Sequence, residues 1–72
     1  MTAITTIRID HAELPDQFDR SRPDAVAAAI ETALREDGIK AEASDVISHF
    51  KIELPTTQLA AASNVLAELH LI

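Results

Sequence analysis

Apolar and polar positions first alternate along the chain, then recur at helical spacing, and then repeat both patterns once more. Residues 3–11, "AITTIRIDH", alternate and are rich in β-branched side chains, which predicts a strand with one buried face. Ala3, Thr5, Ile7 and Ile9 make the better core face, and Ile4, Thr6, Arg8 and Asp10 fall on the other. Residues 12–22 break the alternation. They predict a loop with one helical turn begun by Pro15, tethered to the core by Leu14 and Phe18 four residues apart.

Residues 21–38, "SRPDAVAAAIETALREDG", predict an amphipathic helix. Ser21 can cap it, Pro23 and Asp24 suit its first turn, and Gly38 supplies the stop. Val26, Ile30, Ala33 and Leu34 form the buried stripe, while Glu31, Arg35 and Glu36 belong to the solvated side. Alternation returns in residues 39–43, with Ile39, Ala41 and Ala43 on one face. Ser44-Asp45 predicts a turn, and residues 46–54 alternate again, with Val46, Ser48, Phe50, Ile52 and Leu54 opposite Ile47, His49, Lys51 and Glu53. Pro55 closes that strand. Thr56 or Thr57 then caps a last helix whose apolar stripe is Leu59, Ala62, Val65, Leu66 and Leu69.

The predicted order is β-α-β-β-α in a single α+β domain spanning residues 1–72, a two-layer sandwich with a three-stranded sheet covered by two helices. A right-handed crossover through the first helix makes the first two strands parallel, either adjacent or separated by an inserted strand. This element order resembles a ferredoxin-like βαββαβ fold lacking its last strand. The likeness is one of order, with no sequence motif behind it.

Composition changes the picture in two ways. A 72-residue chain buries only about 60% of its unfolded surface, and here thirteen residues are alanine while only Phe18 and Phe50 are aromatic. Burial at roughly 25 cal/mol per Å² must offset chain entropy, so an alanine-rich core is thin and favours self-association. Charge is the second. Twelve acidic against six basic residues give a net −6, which disfavours direct nucleic-acid or anionic-membrane binding and favours a basic protein partner. No apolar run approaches the ~20 residues of a membrane span, and "MTAITTIRID" lacks the pattern of a secretory signal. With no cysteine, a reducing cytoplasm is the expected compartment.

Candidate chemistry is sparse, and no catalytic residue, cofactor or metal is assigned. A nucleophile needs an oriented base, and Ser21, Ser44, Ser48 and Ser63 all have plain structural roles as cap, turn, strand and helix residues. One glycine cannot build a nucleophile elbow, a phosphate loop or a dinucleotide fingerprint. His11 and His49 could meet if the first and third strands are neighbours, which gives a small-ligand or metal site as one alternative, although no ligand spacing supports it.

Asp10, Glu13, Asp16 and Asp19 recur every third residue through the loop and, with Glu31 of the first helix, form the expected contact surface for a basic partner. Arg20 and Arg22 partly offset them. The outer side of the last helix, Ala60, Ala61, Asn64, Ala67 and Leu71, is small and nearly uncharged, which suits a homodimer interface. The functional expectation is a non-enzymatic protein-binding module working as a homodimer, a small acidic cytoplasmic adaptor or inhibitor. In size and charge it matches small inhibitors that phages and mobile elements direct at basic or nucleic-acid-binding host proteins. The other alternative is a structural subunit whose assembly is its function.

Overall fold

Phe50, Ile52 and Leu54 alternate with His49, Lys51 and Glu53 along one strand, and the three apolar side chains have 0–1% of their surface exposed. That strand is the middle of the sheet. In the computed structural model, which describes residues 3–19, 21–46 and 48–72, the elements are β1 (Ile4–Asp10), α1 (Pro23–Glu36), β2 (Glu42–Val46), β3 (His49–Pro55) and α2 (Leu59–Glu68). Single 3₁₀ turns, His11–Glu13 and Thr56–Gln58, follow β1 and β3. The strand order is β1-β3-β2, with β3 antiparallel to both neighbours. β1 and β2 therefore run parallel with β3 inserted between them, and two helices complete the α+β domain.

The core lies between the helices and one face of the sheet. Ile9, Phe50, Ile52 and Leu54 come from the sheet, Val26, Ala27, Ile30 and Leu34 from α1, and Ala62 and Leu66 from α2. Leu14 from the loop, Ile39 and Ala41 before β2, and Leu71 after α2 complete it. No charged or polar side chain is buried among the described residues. The other face of the sheet is uncovered and carries Thr6, Arg8, Asp10, Glu42, Ser44, His49, Lys51 and Glu53. On it, Arg8 Nε lies 3.6 Å from Asp10, and Lys51 Nζ lies 3.5 Å from Glu53.

Both helices stop in the same way. After α1, Gly38 at φ +80° donates to the Arg35 carbonyl, and the Ile39 amide returns to the Leu34 carbonyl. After α2, His70 at φ +61° donates to Ala67, and the Leu71 amide returns to Leu66. Each is a Schellman turn, in which the residue after the left-handed position folds back onto the helix's apolar stripe. The N-termini depart from expectation. Arg22, rather than Ser21, is the capping residue of α1 and makes no side-chain cap, because the Ser21 hydroxyl and amide both donate to Asp19. α2 begins through the 3₁₀ turn rather than a threonine cap, and Thr56 instead pairs its hydroxyl with that of Thr5 at 2.7 Å.

The hairpin is placed differently from the Ser44-Asp45 turn that the sequence suggests. Ser44 and Asp45 are strand residues paired with Lys51 and Phe50, and the pairing runs on to Val46 with His49. Val46 thus belongs to β2 and to the uncovered face. Asp45 tolerates the strand because His11 Nε2 meets its carboxylate at 2.9 Å. The His11 ring lies over Phe50 at 4.5 Å between centroids, so β1 and β2 are strapped together across the end of the core.

Candidate interaction surface

Besides the uncovered sheet face, three surfaces lack a cover among the described residues: the acidic loop, the outer side of α2, and one edge of the sheet. The loop between β1 and α1 is held firmly from within. Leu14 is buried, Phe18 packs against the core, and Gln17 Nε2 donates to the Leu69 carbonyl at 3.0 Å. Backbone bonds from Leu14 to His11, Phe18 to Pro15 and Arg22 to Asp19 fix its successive turns.

The four loop acids differ in their surroundings, although all are exposed. Asp10 sits beside Arg8 on the sheet face. Asp19 accepts from the Ser21 hydroxyl at 2.5 Å and the Ser21 amide at 2.9 Å, which together hold its carboxyl below the ordinary value of 3.8. Glu13 and Asp16 project without an ion pair among the described residues. Arg22 forms none with them either, and Arg20 lies outside the described residues.

Glu31 does not join this surface. Its Oε1 accepts the Ala43 amide at 3.0 Å, and Arg35 one turn later donates its Nε to the Ala41 carbonyl at 3.1 Å. Arg35 also approaches Glu31 at 3.9 Å. Glu31 and Arg35 therefore cover the outer edge where β2 begins, a role that helical periodicity alone does not reveal. Gln58 is a second residue of this kind: its amide accepts from Lys40 N and donates to Gly38 O, bracketing the chain between α1 and β2.

Among the described residues the opposite edge is bare. Because the Ala43 amide turns outward to Glu31, Ala43 and Ile52 form a non-hydrogen-bonded pair, so the Ile52 backbone groups face β1. Alternation then directs the Thr5, Ile7 and Ile9 backbone toward β3. The N–H and C=O of Ile4, Thr6, Arg8 and Asp10 point away from the sheet. The Ala3 carbonyl accepting the Thr56 amide fits this parity.

On α2, Ala60, Ala61, Asn64 and Ala67 are exposed, as the sequence suggests. Leu71 is not part of that face. The Schellman turn carries it back into the core, where 5% of its surface remains accessible. Ile47, which the alternation places on the strand face with His49, lies outside the described residues.

His11 and His49 are not brought together. His11 packs on Phe50 at the core side, whereas His49 projects from the uncovered face and its Nδ1 meets Ser48 Oγ at 3.0 Å. No group of three or more histidine, aspartate or glutamate side chains converges among the described residues. An open cleft of about 320 Å³ lies beside Arg35, Gly38, Ile39, Lys40 and Glu42. Its charges are of both signs, and Arg35 is already committed to Ala41. No helix among the described residues is long and apolar enough to cross a membrane. No protein-family model, curated protein or solved structure matches the chain.

Proposed function

We propose that the protein is a non-enzymatic protein-binding module, a small acidic cytoplasmic adaptor or inhibitor that engages a basic protein partner through the loop between β1 and α1. The observation that carries this reading is the preorganisation of the loop. Leu14, Phe18 and Gln17 pin it to the domain, and the exposed carboxylates of Glu13 and Asp16 stand beyond it without an ion pair among the described residues. A partner that meets a fixed loop does not have to order it, and ordering costs about 0.5–1.5 kcal/mol for each immobilised flexible side chain. The net charge of −6 adds long-range attraction for a basic surface and speeds encounter.

Asp10 and Asp19 flank this centre but hold internal partners, so they contribute to the field more than to direct contact. The test is affinity capture from native lysate at low salt, comparing the wild type with Glu13→Gln/Asp16→Asn. The double variant removes two charges and no internal bond among the described residues. Basic proteins retained by the wild type, released by salt and lost from the variant are the expected result. Identical retention by both proteins contradicts the loop assignment.

A further inference from the structure

We infer that the bare edge of β1 is occupied by a second copy of this chain, which adds its own β1 antiparallel and joins two three-stranded sheets into one of six strands. The argument begins with the contrast between the two edges. The start of the β2 edge is engaged by Glu31 and Arg35, which take the Ala43 amide and the carbonyl of Ala41 just before the strand. β1 has seven residues, no proline, and none of the inward charges or lysines that commonly blunt an exposed strand edge. Its outward N–H and C=O groups, at Ile4, Thr6, Arg8 and Asp10, form an unpaired row.

Charge favours a copy as the occupant. The chain carries −6, yet β1 has one cation and one anion, Arg8 and Asp10, already 3.6 Å apart. Two β1 strands therefore meet as neutral segments, whereas an acidic edge would repel its twin.

Register follows from parity. Outward residues must pair with outward residues, which leaves two-fold axes through single residues of β1. An axis at Arg8 sets Arg8 against Arg8, with like charges directly opposite. The axis at Ile7 engages the whole strand: Thr6 faces Arg8 of the second copy, Ile4 faces its Asp10, and Ile7 faces its Ile7 on the core side. This ladder makes about eight backbone hydrogen bonds. Ile7, only half-buried in the single chain, becomes covered. Because the contact is isologous, assembly through the β1 edge closes at two chains.

This inference goes beyond the partner of the acidic loop and does not depend on it. Sedimentation of the full chain from low to high micromolar concentration should show monomer passing to dimer and no larger species. Thr6→Pro removes one outward amide and leaves the β1–β3 ladder intact, so it should remain monomeric with an unchanged circular dichroism spectrum. Ala61→Glu, on the outer side of α2, should dimerise like the wild type, and so should Glu13→Gln/Asp16→Asn. If Thr6→Pro does not fold, wild-type amide shifts supply the test, with concentration-dependent changes expected at residues 4–10. A wild type that stays monomeric throughout, an Ala61→Glu variant that alone dissociates, or shift changes confined to α2 would overturn the inference.

Discussion

Replacing Glu31 should separate the role of an edge cover from that of an ordinary helix-surface acid. Its carboxylate has 33% of its side-chain surface exposed and accepts the Ala43 amide at 3.0 Å, with Arg35 3.9 Å away. Hydrogen bonds to charged groups are worth about 1.5–3 kcal/mol when sheltered, and neutral ones about 0.5–1.5. Once the carboxylate is gone, water can reach the Ala43 amide at a sheet edge, which places Glu31→Ala near 1–1.5 kcal/mol. Alanine's better helix propensity returns a few tenths. The net loss is about 1 kcal/mol, or about 4–8 °C in Tm for a domain of this size. Glu31→Gln keeps an oxygen acceptor for the amide and gives up an exposed pair worth about 0–1 kcal/mol, so it should lie well above alanine. Chemical denaturation of both variants, with amide exchange at Ala43, is the assay. Equal stability of the alanine and glutamine variants, with Ala43 exchange unchanged, would refute the edge-cover reasoning.

The two helix stops predict opposite responses to matched substitutions. His70→Gly relieves a side chain held at φ +61° and should raise stability by about 0.5 kcal/mol, while Gly38→Ala at φ +80° should lower it by about 1 kcal/mol, both read from urea midpoints. Leu71→Ala should cost about 2 kcal/mol, the lower end for a buried leucine, because 5% of its surface is already accessible and the turn that carries it can partly collapse; exposed Ala61→Glu should stay within about 0.5 kcal/mol in the same assay. Asp19 has a folded value below its unfolded one, so its contribution is present above pH 3.8 and lost as the pH falls through the lower folded value. Acid titration by circular dichroism should therefore show Asp19→Asn with less stability change than the wild type below pH 3.8.

Much of this architecture is legible in the order of residues. Alternation places Phe50, Ile52 and Leu54 inside, and helical spacing places Val26, Ile30 and Leu34 inside, because burial selects side chains by period. Gly38 announces its stop because glycine reaches positive φ without a Cβ clash. His70 announces nothing. A histidine in that conformation is held there by the return of Leu71 to the core, a tertiary effect hidden from helical periodicity, which places Leu71 on the outer face. Ser44-Asp45 reads as a turn by composition, yet pairing with β3 and the bond from His11 keep it in the strand. Glu31 sits where periodicity puts solvent, but a glutamate is long enough to reach sideways to the next strand. Partner surfaces written in backbone groups, such as the β1 edge, leave no mark on side-chain pattern until the strand order is known.

The sharpest test of the account is residue-resolved hydrogen exchange at two protein concentrations. In dilute solution Ala43 should exchange slowly, held by Glu31, while Thr6 and Arg8 exchange quickly from an open edge. At high concentration Thr6 and Arg8 should become protected and Ala43 should not change. Thr6 and Arg8 as slow as Ala43 in dilute solution, or unprotected at every concentration, would contradict one bare edge that a second copy fills.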